Sequence, residues 1–126
     1  MSLIDTDVLV WYMRGNEKAR TVIRKIEKPA ISIVTQMELV QGLRNKTEQV
    51  ALRRFLDAYD FKRYSVNEAI SQRALFLMEE WRLSHHMLMA DALIAATAME
   101  HGLPLLSGNA KHYRFLSALE LKAFKP

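Results

Sequence analysis

Short apolar runs along the chain alternate with longer segments whose apolar positions recur every three or four residues. Ser2 to Asp5 is apolar and closed by the turn-like Asp5-Thr6-Asp7, the pattern of a buried strand, and Thr6 to Met13 then reads as helix. Within Glu17 to Glu27, Ala19, Val22, Ile23 and Ile26 form an amphipathic stripe that Lys28-Pro29 ends. Ala30 to Val34 is β-branched and apolar, a second strand. Thr35 then opens a helix, with Glu38 three residues on as in a capping box, continued by Leu39, Val40 and Leu43. After a break at Gly42 to Thr47, another helix carries Leu52, Phe55, Leu56 and Tyr59 on one face, and Asp60 to Ser65 reads as a short strand.

From Val66 to Leu83 a long stripe of Ile70, Ala74, Leu77, Met78 and Trp81 ends at Ser84-His85-His86. Ala90 to His101 is apolar on every side, a helix expected to lie deep, with Gly102 as its stop. Pro104 to Ser107 is a strand, Asn109 to Leu116 a turn or short helix, and Leu119 to Phe124 a last edge strand. Strands alternating with helices predict one three-layer α/β domain over residues 1–126, a mostly parallel central sheet flanked by helices. No repeat, low-complexity tract or linker interrupts it.

Three carboxylates fall at similar places in this pattern. Asp5 ends the first strand, Glu38 follows the second, and Asp91 sits in the first turn of the deep helix. Beyond the carboxyl ends of parallel strands, loops and helix starts share one crevice, so residues distant in sequence converge there. Asp91 is the only ionisable side chain between Met87 and Met99, and a buried lone charge needs a counter-ion, a metal or neutralisation. Each acid also has a plainer reading. Glu38 closes a capping box, and Asp91 favours the positive end of its helix. The recurrence of the three favours a site.

Composition narrows the chemistry. With no cysteine, thiol nucleophiles, Cys-based zinc sites and disulfides are excluded, and the four histidines lack zinc-protease spacing. Hard oxygen donors select Mg²⁺ or Mn²⁺, ions suited to polarising a phosphodiester. Eighteen basic residues against 14 acids, net +4, bias the chain mildly toward polyanions. The start lacks a basic signal-like region, and no uncharged apolar stretch of about eighteen residues exists, so an unexported cytoplasmic protein with no membrane span is expected.

The motifs Leu3-Ile4-Asp5-Thr6-Asp7 with Trp11, Ser32 to Leu39 followed by Gly42, Asp91 to Ala98, and Leu105 to Tyr113 together resemble the PIN-domain ribonucleases along the whole chain. Within that family the resemblance is to the VapC-type toxins of toxin–antitoxin pairs. It implies an endoribonuclease dependent on Mg²⁺ or Mn²⁺, with Asp5, Glu38 and Asp91 as metal ligands and catalytic acids. Asn109 falls where many relatives place a fourth acid and is either an auxiliary ligand or a turn residue. Thr6 and Ser107 match hydroxyls near the site. Asp7 stands where the family often has Asn and either adds negative charge to the site or, the favoured reading, caps the following helix. Ala90 replaces a common proline at small cost.

Arg44 and Lys46, with Arg53 and Arg54, flank the end of the Glu38 helix, while Lys111, His112 and Arg114 follow Asn109. Either cluster is a phosphate contact for RNA or a solvated face. Trp11 and Tyr12 suit core packing better than base stacking. The resemblance further implies a VapB-like antitoxin and a homodimer. A non-catalytic PIN-like module that binds RNA or antitoxin is the alternative, against which the intact triad argues. An unrelated metal phosphohydrolase lacks the Gly-rich loop a nucleotide would need.

Overall fold

Five short strands, β1 (Ser2–Ile4), β2 (Pro29–Ser32), β3 (Lys62–Tyr64), β4 (Leu105–Ser107) and β5 (Leu121–Ala123), pair in parallel in the order β3-β2-β1-β4-β5. The structure is a computed structural model describing residues 1–126. Alternation along the pleat sends neighbouring residues into different cores: Leu3, Ala30 and Leu105 into one, Ile4, Ile31 and Leu106 into the other. Helices α5 (Glu68–His85) and α6 (Met89–Glu100) cover the first face. Helices α1 (Thr6–Met13), α2 (Glu17–Lys25), α3 (Ile33–Gln41) and α4 (Lys46–Ala58) cover the second. The result is the three-layer α/β fold that the alternating pattern predicts, with a sheet parallel throughout.

Asparagine side chains start three of the helices: Asn16, Asn45 and Asn67 each accept the backbone N–H three residues on. Helix α6 lies deep, as its all-round apolarity predicts. Ala92, Ala95, Ala96 and Ala98 are fully buried, and their small side chains let the helix pack closely against both β-sheet and α5.

Two boundaries move from where periodicity puts them. The second strand stops at Ser32, whose hydroxyl accepts the Val34 N–H at 3.0 Å and caps α3, so Thr35 lies inside the helix and forms no capping box with Glu38. Helix α5 begins after Asn67 and continues through Ser84 and His85, since neither residue breaks a helix. His86, in the left-handed conformation at φ 55°, ends it, while Arg82 donates to the carbonyls of His86 and Met87. No helix is long and apolar enough to cross a membrane.

All five strands point their carboxyl ends to one edge. Ile4, Ser32 and Ser107 end β1, β2 and β4 there, and α6 begins at the same edge.

Candidate active site

Asp5 leaves β1 and takes the N-cap position of α1 with extended backbone. Its Oδ1 accepts the Thr6 N–H at 2.8 Å, and its Oδ2 accepts the Ser107 hydroxyl at 2.7 Å. The Ser107 oxygen in turn accepts the Asn109 N–H at 3.0 Å, so the turn after β4 fixes the acid at the end of β1. Asp7 is not the cap. It lies inside α1, and its Oδ2 instead accepts the Gly108 N–H at 2.8 Å. Glycine is required for that approach, because a Cβ at position 108 would stand 2.5 Å from Asp7 Oδ2 and 3.3 Å from the Phe124 carbonyl. Asp7 Oδ1 is buried without any partner.

Glu38 is held from α1. The Thr6 hydroxyl donates to its Oε1 at 2.7 Å and lies 3.1 Å from the Thr35 hydroxyl. Asp91, third residue of α6, meets two successive residues of the segment after β4. The buried Tyr113 hydroxyl donates to Oδ1 at 3.1 Å, and His112 Nδ1 lies 3.2 Å from Oδ2.

Burial disfavours charge here more than the local donors favour it. Asp5 is pushed up to about 7, first by desolvation and then by Asp7 and Asp91, against the Ser107 and Thr6 hydrogen bonds that pull it down. Desolvation also raises Asp7 and Asp91, with the Gly108 N–H and His112 respectively opposing. Asp5, Asp7, Glu38 and Asp91 form no ion pair with lysine or arginine. Asp5, Glu38 and Asp91 are each held by a separate hydroxyl, and no three Asp, Glu or His side chains are closed into a cage. An all-oxygen donor set, excess negative charge and an orphaned buried carboxylate oxygen fit a hard divalent cation.

Of the basic residues, Arg44 borders a groove with Glu38 but is already paired with Glu48 at 2.8 Å. Lys46 shares a separate depression with Arg53 and Arg54 on α4, away from the acids. Lys111 and Arg114 are exposed on either side of His112 and Tyr113. Asn109 works through its backbone, and its side chain makes no hydrogen bond. Trp11 and Tyr12 pack against the second core, Tyr12 on Phe55 with ring centres 4.5 Å apart.

Residues 2–115 match the PIN domain family. The chain is 36% identical over 124 residues to Ribonuclease VapC10 of Mycobacterium tuberculosis, covering 95% of this chain and 91% of that one. The chain belongs to the PIN-domain family, in its VapC-type branch. Ribonuclease VapC19 of the same organism is 32% identical over 125 residues, covering 95% of this chain and 98% of the relative. Among solved structures, a toxin–antitoxin complex from Klebsiella pneumoniae matches with a TM-score of 0.81 and 26% identity, over 94% of this chain and 95% of the other.

This PIN domain adds site residues that the sequence does not single out. Thr35 lies beside the hydroxyl that holds Glu38, and Tyr113 touches Asp91. The signals for Tyr113 are its place at the end of the Leu105 to Tyr113 motif and an aromatic ring between the basic His112 and Arg114.

Proposed function

We propose that residues 1–126 form a single cytoplasmic PIN-domain endoribonuclease that hydrolyses RNA with Mg²⁺ or Mn²⁺ and acts as the toxin of a toxin–antitoxin pair. The observation that carries this reading is the buried Asp5 carboxylate, flanked by Asp7 and Asp91 at the carboxyl edge of a PIN-domain sheet and paired with no lysine or arginine. A bound divalent cation supplies Lewis acidity toward a phosphodiester and lowers the pKa of water.

Asp5, Glu38 and Asp91 would hold that cation, with Asn109 as an auxiliary ligand. Ser107 and Thr6 orient Asp5 and Glu38 through hydrogen bonds of 2.7 Å each. Lys111 and Arg114 flank the site in sequence and would contact neighbouring phosphates, as would Arg44 at the groove; Lys46 lies farther off and would serve only a longer RNA.

The names of the relatives support an RNA substrate, and the Klebsiella complex supports an antitoxin partner. A groove of about 790 Å³ between α1, α3 and α4, lined by Val10, Leu43 and Phe55 and reaching Glu38, suits a VapB-like segment that blocks the acids. Exposed Leu75, Phe76 and Leu83 on α5 are the apolar surface a homodimer would cover.

The test is cleavage of folded transfer and ribosomal RNA by the purified protein with Mn²⁺ or with EDTA, beside Asp5→Ala. Cutting is expected only with metal and intact Asp5, the variant losing at least about 10³-fold. Cleavage that persists in EDTA contradicts metal dependence, and folded, metal-binding protein that cuts neither RNA favours a non-catalytic binding module.

A further inference from the structure

Tyr113 is the largest of the fully buried side chains, with no exposed surface. Its ring is anchored in the core formed by α5, α6 and β4, and its hydroxyl emerges beside the acids. A buried phenol needs a hydrogen-bond partner. Here that partner is Asp91 Oδ1 at 3.1 Å. His112, the preceding residue, approaches Asp91 Oδ2 at 3.2 Å. Both oxygens of Asp91 are thus gripped by consecutive residues of one turn, which fixes the plane of the carboxylate. Each oxygen keeps a second lone pair for another ligand.

We infer that Tyr113 is a positioning residue that sets the Asp91 carboxylate toward Asp5 for cation binding. The inference rests on the metal-dependent reading above. A lysine or arginine at this position would orient Asp91 equally well, but its charge would cancel the acid and compete with a cation. The phenol orients without neutralising. An ordinary phenol titrates at about 10, so near neutral pH it is an uncharged donor. Partners that orient metal ligands in this way typically account for about 10- to 100-fold in metal affinity or activity.

Tyr113→Phe removes the hydroxyl and keeps the ring that fills the core. Mn²⁺ binding, measured by isothermal titration calorimetry on the full chain, is expected to weaken about 10-fold in this variant, with its melting temperature within a few degrees of the parent. In an Asp91→Asn background the same substitution is expected to add no further loss of affinity, because the residue through which it acts is already changed. Parent protein that binds Mn²⁺ alongside a Phe variant of equal affinity overturns the inference alone. So does an equal further loss in the Asn background, or a large fall in melting temperature, which makes the hydroxyl a structural element. Parent protein that binds no Mn²⁺ overturns the metal-dependent reading and this inference with it.

Discussion

The two ends of the sheet treat charge in opposite ways. At the amino end of the strands, Arg73 pairs with Glu100 at 2.6 Å, and Arg63 pairs with Asp57 at 2.8 Å. Every acid in those contacts has a basic partner and stands partly in water. At the carboxyl end, Asp5, Asp7, Glu38 and Asp91 are met by hydroxyls, two backbone N–H groups and one imidazole, and by no lysine or arginine. Stability alone explains the first end. The second works against stability, since burial raises the pKa of Asp5, Asp7 and Asp91, and a bound cation would supply the missing charge.

The comparison sharpens most at Asp5. Its pKa near 7 in the fold exceeds the ordinary 3.8, so folded protein holds a proton that the unfolded chain releases. The stability this contributes is fully present below about pH 3.8 and is lost as pH rises through 7. In EDTA, Asp5→Asn is therefore expected to melt near the parent at pH 4 and above it at pH 8, by on the order of 4 kcal/mol at most. A gap that does not change with pH would break the argument that Asp5 is buried against its charge.

Gly108→Ala comes next. The new methyl group would press on Asp7 Oδ2 and the Phe124 carbonyl, so a destabilisation of about 1–3 kcal/mol is expected in denaturant melts. Arg73→Ala, at the opposite end, is expected to change stability by less than about 1 kcal/mol, because the pair it breaks is partly solvated. A larger cost there than at Gly108 would reverse the contrast between the two ends.

Much of this was legible from the residues alone. Asp91 stands out because a single charge in an apolar helix demands an explanation, and the parallel α/β pattern brings it toward Asp5 and Glu38. Local periodicity cannot see what a distant segment contributes. Thr35 reads as the cap, and only the chain's exit from β2 makes Ser32 the residue that bonds to Val34. Asp7 likewise reads as a cap until the turn after β4 brings the Gly108 N–H to it. Tyr113 is hidden for the same reason: its burial depends on how the crossover from β4 to β5 folds over α6. The basic residues divide along similar lines, with Arg44 already occupied by Glu48 and Lys46 turned toward Arg53 and Arg54.

The central claim is that the carboxyl-edge acids are uncompensated because they hold a divalent cation. Its most direct test is the melting temperature of the parent and of Asp5→Asn at pH 8, with and without Mn²⁺. At about 100 times its dissociation constant, Mn²⁺ is expected to stabilise the parent by about 2.7 kcal/mol and to leave Asp5→Asn nearly unmoved. Equal shifts in both proteins, or no shift in the parent at millimolar Mn²⁺, would contradict it.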